Sequence, residues 1–170
     1  MASGQTLLEF FVEASRPTAT TFATFDTLIG ASAPLENFPV LLFDAATIEY
    51  TDFEAFLPAN YAGNGITCEV EFSMVSDVNN AHQVVVGLAF VKATGANFGA
   101  AQTYTFTDAN GTILAVSKAS KKINVVITHV GMGSPAAGDR FMLRFRRNAS
   151  SGTDDATGDM RLHGIHVKET

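Results

Sequence analysis

Alternation of apolar and polar residues, with a period of two, is the feature that most constrains the fold of this chain. In the segment ITCEVEFSM, residues 66–74, the side chains of Cys68, Val70, Phe72 and Met74 fall on one face of an extended strand, and the residues between them are polar. Similar alternation recurs along most of the chain. No long segment shows the 3.6-residue repeat of an amphipathic helix with a cap at its start. The sequence therefore predicts an all-β protein.

Turn-forming residues divide the chain into eight to ten short strands, the number that a two-sheet sandwich uses. The predicted strands lie near residues 6–12, 39–43, 47–53, 66–74, 83–92, 102–107, 112–117, 123–130, 140–147 and 160–168. Asn110-Gly111 is expected to form the hairpin turn between two of them. With 170 residues, of which 46% are apolar, the chain is long enough for one domain with a sizeable core.

The first 37 residues differ from the rest, because they are rich in Ala and Thr and show no clean period after the short run TLLEFFV. Their apolar side chains are too many for a pure linker. These side chains are Phe22, Phe25, Leu28 and Ile29. We predict that residues 1–37 form one strand and an extended arm, buried on its own domain or on a neighbouring subunit. Residues 38–170 are predicted to form the sandwich domain, which is expected to keep its fold if residues 1–30 are deleted.

Two further segments carry side chains that need to be covered. VVVGLAFV, residues 84–91, is apolar on both faces, so it lies either centrally beneath a loop or the arm, or with its outer face against another subunit. In RFMLRFRR, the apolar residues point one way, and Arg144 and Arg146 point the other way. Arginines on a strand face need solvent, carboxylates or a partner. We therefore predict that Val85, Arg144 and Arg146, together with the apolar residues of the arm, lie at subunit contacts.

Charge is distributed unevenly along the chain, whose net charge is −6. Residues 1–91 hold eleven acidic residues and one basic residue, whereas residues 92–170 hold six acidic and ten basic residues. An acidic chain is a poor candidate for binding nucleic acid, and no apolar run is long enough for a membrane helix. The oppositely charged parts either neutralise each other across one sheet or meet between subunits.

Groups that could carry catalysis are scarce. Alternation predicts that Cys68, the single cysteine, is a small core residue rather than a nucleophile. His163 and His166 are three residues apart on a predicted strand, so they are expected to point to opposite faces and not to share a metal. The sequence contains none of the common catalytic or nucleotide-binding motifs. We therefore predict no catalytic residues, no cofactor, no metal site and no enzymatic activity.

Three acidic residues near the end of the chain, Asp154, Asp155 and Asp159, are the best metal candidates. Their spacing does not match the alternating ligands of a known calcium loop, and four arginines lie nearby in sequence. A carboxylate–arginine network or a solvated loop at the rim of the sandwich is favoured, and calcium binding is left open.

Three stretches resemble small virion-associated jelly-roll proteins of tailed bacteriophages. They are FPVLLFDAATIEYTDFEAFLPANYAGNGITCEVEFSM, AGDRFMLRFRR and DDATGDMRLHGIHVKET. The resemblance covers roughly residues 38–170 and departs from the family at QVVVGLAFV, where members often have a tryptophan. It implies a jelly-roll β-sandwich of two antiparallel sheets that acts as a capsid decoration, or cement, protein.

Proteins of this family bridge neighbouring major capsid subunits and stabilise the head. The resemblance therefore implies a homotrimer on the capsid surface of the virion, made in the host cytoplasm, with the major capsid protein as its partner. MASGQTLLEF has no basic residue before its apolar stretch, so we do not expect a secretion signal.

Related jelly rolls also serve in tail fibres, which leaves an alternative: a carbohydrate- or receptor-binding module of a phage tail fibre. Sandwich lectins commonly stack sugars on exposed Trp or Tyr. This chain has no Trp, three Tyr and fourteen Phe, and this aromatic content favours cores and protein contacts over sugar binding.

Overall fold

The protein is a jelly-roll β-sandwich of two antiparallel sheets, as the sequence predicts. The computed structural model describes residues 4–97 and 99–170, and within these residues the chain forms eleven strands and one 3-10 turn at Val12–Ala14. The strands are β1 (Thr6–Phe11), β2 (Arg16–Pro17), β3 (Thr24–Ile29), β4 (Asn37–Phe43), β5 (Tyr50–Phe56), β6 (Ile66–Met74), β7 (Gln83–Lys92), β8 (Thr107–Thr112), β9 (Lys121–Ile127), β10 (Arg140–Arg147) and β11 (Met160–Glu169). No helix in the described ranges is long and apolar enough to cross a membrane.

One strand, β11, determines how the first sheet is assembled. In this sheet, sheet A, the strand order is β3-β4-β11-β6-β9, and β1 also pairs with β11. β6 lies along one side of β11 over its whole length. On the other side, β4 pairs with Met160–Leu162 and β1 pairs with Gly164–Lys168. A split therefore opens between β4 and β1 at residue 163.

Sheet B has the order β2-β5-β10-β7-β8 and packs on sheet A through phenylalanine-rich inner faces. The rings of Phe43 and Phe145 meet edge to face at 5.0 Å, and those of Phe10 and Phe53 lie 5.2 Å apart, each pair joining the two sheets. Cys68 is fully buried among these side chains, and burial raises the pKa of its thiol to about 12. The prediction that Cys68 is a core residue is confirmed.

The N-terminal segment is built into both sheets. It holds three strands: β1 pairs with β11, β2 with β5 and β3 with β4. Phe10 and Val12 are 6% and 1% exposed in the core. The sequence predicts only one of these strands, because β2 and β3 are edge strands whose residues are almost all exposed and so show no period of two.

Strand β8 also differs from the prediction. Asn110 and Gly111, expected in a turn, lie inside the strand, opposite Val85 and Val84 of β7. A Cβ atom at Gly111 would collide with the side chain of Ile123 on β9, so this glycine permits a close approach between the two sheets. The prediction of a turn at Asn110-Gly111 is wrong, because glycine permits close packing between strands as well as tight turns.

Candidate functional site

A groove of about 340 Å³ lies on the outer face of sheet A, at the split between β1 and β4. We call it the sheet A groove. The side chains that give it chemical character are Glu9, Phe11, Glu13, Phe38, Glu71, His163 and His166. They come from four strands and from the 3-10 turn that follows β1.

A β-bulge in β11 brings two histidines into this groove. β11 is in register with β6 up to Leu162 and again from Gly164, so His163 is an extra residue. A bulge reverses the alternation of side chains from that point along the strand. His163 and His166 consequently both line the sheet A groove. The prediction that they point to opposite faces is wrong, because it assumed an unbroken strand.

Gly164 allows β1 to approach β11 at the bulge. A Cβ atom at this position would lie 2.9 Å from the backbone oxygen of Phe10, which is closer than real Cβ contacts. Phe11 is the cross-strand partner of Gly164. The ring of Phe11 therefore stands beside a position without a side chain, which leaves space in the groove.

Polar contacts position the two histidines of the groove. His163 Nε2 lies 2.9 Å from Ser73 Oγ, and burial lowers the pKa of His163, which favours its neutral form. His166 Nδ1 lies 3.6 Å from Oε1 of Glu9, its cross-strand neighbour on β1. These contacts fix imidazole and carboxylate groups on strands rather than on loops.

Two aromatic rings flank these polar groups. Phe11 at the end of β1 is 62% exposed, and Phe38 at the start of β4 is 52% exposed. Both belong to the lining of the sheet A groove, one from each side of the split. A concave surface that combines aromatic rings with a few convergent polar groups is typical of small-ligand sites.

The predicted contact residues of the N-terminal segment lie on or beside β3, at the edge of sheet A. Phe22, Phe25 and Ile29 are 50%, 54% and 47% exposed, and Leu28 is half-buried. Leu35, in the connection from β3 to β4, is 57% exposed. We call this surface, residues 22–35, the β3 edge. Its large apolar side chains are exposed or half-buried, whereas the small Ala23 lies in the core.

Arg144 and Arg146 find their partners within the chain. Arg144 donates two hydrogen bonds of 2.7 Å to the carboxylate of Asp52, and its guanidinium lies 3.7 Å from the ring centroid of Tyr104. Arg146 Nη2 lies 3.0 Å from both carboxylate oxygens of Asp108. Neither side chain needs a second subunit for charge compensation.

Val85 is 2% exposed and so offers almost no surface to another chain. Its backbone N–H donates to Asp154 at 3.0 Å, and its carbonyl accepts from the N–H of Asn148 at 2.8 Å. Beside it on the same outer face, Gly87 lies under the Arg146 and Asp108 side chains. Of the two alternatives for strand β7, the structure shows coverage within the chain.

The three predicted metal candidates accept hydrogen bonds from different parts of the backbone. Asp155 accepts a hydrogen bond from the N–H of Gln83 at 2.6 Å, and Asp159 accepts one from Ala45 at 3.1 Å. Asp154 points towards the core and is 1% exposed at its side chain. In residues 4–97 and 99–170, no three His, Cys, Asp or Glu side chains are placed to hold a metal ion.

Asp154 pairs with Arg147, a residue that the sequence analysis did not single out. Arg147 is fully buried and contacts Asp154 through Nε at 3.1 Å and Nη2 at 2.7 Å. It also donates to the carbonyls of Gly158 and Ala156, each at 2.6 Å. The favoured carboxylate–arginine network thus exists, but with Arg147, whose inward direction follows from its alternation with Phe145.

No family model and no curated protein matches this chain. Solved structures do match it. The CBM22-1 xylan-binding domain of Xyn10C from Paenibacillus barcinonensis is 8% identical, with 99% of this chain and 97% of that chain covered and a TM-score of 0.54. A xylan-binding module named CBM15 is also 8% identical, with 96% and 97% covered and a TM-score of 0.50. The chain therefore shares the β-sandwich fold of two xylan-binding modules.

Proposed function

We propose that this protein is a carbohydrate-binding module that binds a glycan in the sheet A groove. The observation that carries this proposal is the pair of exposed rings, Phe11 and Phe38, on either side of a polar floor. Carbohydrate binding is the alternative to capsid decoration that the sequence leaves open, and in that alternative the module belongs to a phage tail fibre. We prefer carbohydrate binding to capsid decoration because side chains on paired strands already form the groove.

The groove matches the two chemical faces of a sugar ring. The C–H groups of a pyranose pack against flat aromatic surface, which Phe11 and Phe38 supply in place of the expected Trp or Tyr. Sugar hydroxyls both donate and accept hydrogen bonds, and Glu71 and His166 in the lining offer such partners. The volume of about 340 Å³ falls at the lower end of the usual ligand range of roughly 300–1,000 Å³.

Substitution of the two rings tests the proposal. Phe11→Ala and Phe38→Ala are each expected to weaken glycan binding about 10-fold or more, because burial of a Phe side chain contributes roughly 1.5–3 kcal/mol. Binding is measured by glycan array and then by calorimetry on the best ligand. Phe56→Ala is the matched control, since Phe56 is 63% exposed but lies at the end of β5 in sheet B.

Two outcomes overturn the proposal. One is the absence of binding to every glycan on a broad array by the folded wild-type protein. The other is an equal loss of affinity in the Phe11, Phe38 and Phe56 variants, which would place the contact outside the sheet A groove.

A second function, capsid decoration, is favoured by the β3 edge. There Phe22, Phe25, Ile29 and Leu35 expose apolar surface beside an edge strand, a combination that marks protein contacts. On this proposal, a homotrimer uses the β3 edge to contact the major capsid protein on the virion. Phe25→Ser with Ile29→Ser then lowers the native mass in solution and the occupancy on heads. A monomeric wild-type protein that is absent from purified virions contradicts it.

A further inference from the structure

We infer that the sheet A groove binds uncharged glycans and rejects glycans that carry carboxylate or sulfate groups. This inference rests on the proposed carbohydrate-binding function and names the class of ligand. It follows from the charges that line the groove and from the partners of the nearest basic residues.

Three carboxylates, Glu9, Glu13 and Glu71, line the groove, and its lining contains no Lys or Arg. Within the described part of the chain, neither Glu13 nor Glu71 forms a salt bridge with a basic side chain. Glu9 lies beside His166, at 3.6 Å from its ring. Two of the three carboxylates are thus not neutralised by a salt bridge within the described residues, although Glu71 lies opposite Lys122 in the register of β6 and β9.

The basic residues on the same face of sheet A are already engaged. Lys168 and Lys122 lie 2.6 and 3.6 Å from the carboxylate of Glu69. Arg161 is 8% exposed and donates through Nη1 to the carbonyl of Met74 at 2.9 Å, and its buried Nε has no partner among the described residues. An acidic sugar would have to draw Lys168 or Lys122 away from Glu69, and the guanidinium of Arg161 is covered by the protein.

The two histidines do not reverse this balance. Burial lowers the pKa of His163, so its ring is neutral at neutral pH. His166 lies 3.6 Å from Glu9 and forms no salt bridge with Glu13 or Glu71 in the described part of the chain. An anionic sugar in the groove therefore meets net repulsion, which salt screens over about 8 Å at physiological ionic strength.

Matched polysaccharides test the inference. Xylan, β-1,4-glucan and dextran are each offered to the whole protein unmodified, carboxymethylated and sulfated, at pH 7.5 and low salt. We expect each backbone that binds to bind at least 10-fold more weakly in its charged forms. The difference should shrink in 0.5 M NaCl, because the repulsion between surface charges is screened.

Charge removal in the groove provides a second measurement. Glu13→Gln and Glu71→Gln should each raise, several-fold, the ratio of affinity for the carboxymethylated form to that for the unmodified form. Asp108→Asn removes a carboxylate from sheet B and should leave this ratio unchanged.

The outcomes separate this inference from the function on which it rests. If no backbone binds in any form, carbohydrate binding itself is contradicted for these probes. If a charged form binds as tightly as its unmodified backbone, or if Asp108→Asn changes the ratio as much as Glu71→Gln, carbohydrate binding survives and the exclusion of anionic glycans is overturned.

Discussion

At the scale of single residues, the buried pair of Arg147 and Asp154 shows how a charge is accommodated in an apolar core. Both side chains are at most 1% exposed, and the guanidinium reaches the carboxylate and two backbone carbonyls. Such a pair is a weak source of stability, but removal of one partner costs about 3–5 kcal/mol because the other charge stays buried. The pair therefore ties the loop after β10 to the end of that strand, and Asp154 also accepts the N–H of Val85 near the start of β7.

A second polar pair, Asp77 and His82, makes the stability of the protein depend on pH. His82 Nδ1 lies 2.8 Å from Asp77 Oδ2, and this hydrogen bond is the main reason why the pKa of His82 is raised above 6.5. The folded state thus binds the proton more tightly than the unfolded state. Stability from His82 is fully present below its ordinary pKa of 6.5 and is lost as the pH rises through the higher folded value.

We predict that His82→Gln removes this loss of stability above neutral pH. The measurement is the free energy of unfolding in urea between about pH 2 and about pH 9, compared with the wild type. The acid side provides a control: burial would raise the pKa of Asp77, but hydrogen bonds from Asn79, His82 and Thr157 outweigh it and lower that pKa to about 2. The stability that the Asp77 carboxylate contributes is lost as the pH falls from 3.8 towards 2. The His82→Gln variant should keep most of this contribution. Identical wild-type and variant profiles would contradict the assignment.

At the scale of elements, the bulge in β11 is what creates the sheet A groove. It turns His163 and His166 to one side, and it lies where the pairing of β11 changes from β4 to β1. A glycine inside a strand pattern is a known signal for a bulge, and Gly164 follows the extra residue directly. The element that positions the site is therefore the irregular part of the strand.

We predict that Gly164→Ala destabilises the protein by about 1–3 kcal/mol, because the added methyl group meets the backbone oxygen of Phe10 rather than a flexible side chain. β1 should shift away from β11, with faster hydrogen exchange in β1 and weaker glycan binding. Gly152→Ala is the control, since nothing lies within 4 Å of a Cβ at that position. Equal effects of the two substitutions would argue against a close approach of β1 at Gly164.

At the scale of the whole molecule, ion pairs join the acidic first part of the chain to the basic second part. Glu54 pairs with Arg140, Asp52 with Arg144, and Glu69 with Lys168. These pairs join β5 to β10 in sheet B and β6 to β11 in sheet A. Part of the split charge is therefore neutralised within each sheet of one chain, and a meeting of charged faces between subunits stays a prediction.

Deletion of residues 1–30 is now expected to unfold the protein, in contrast to the expectation from sequence. The deletion removes β1 to β3 and the buried Phe10 and Val12, whose burial is worth about 3–6 kcal/mol of a typical total of about 5–15 kcal/mol. Near-ultraviolet circular dichroism and urea unfolding measure the effect. Phe25→Ser, at a position that is 54% exposed, should change stability by less than about 0.5 kcal/mol. A truncated protein with the wild-type unfolding midpoint would contradict this expectation.

The sequence by itself determined the fold class and the strands that are buried on one face or both. The reason is that the pattern of apolar and polar residues shows which side chains are buried on folding. β6, β7 and β10 have the bounds predicted for them, and Cys68 is in the core as expected. Tertiary structure decided the edge strands β2 and β3, which show no alternation, and the bulge at His163, which interrupts it. The sheet A groove depends on both, since β1, β4 and β11 meet there from distant parts of the chain.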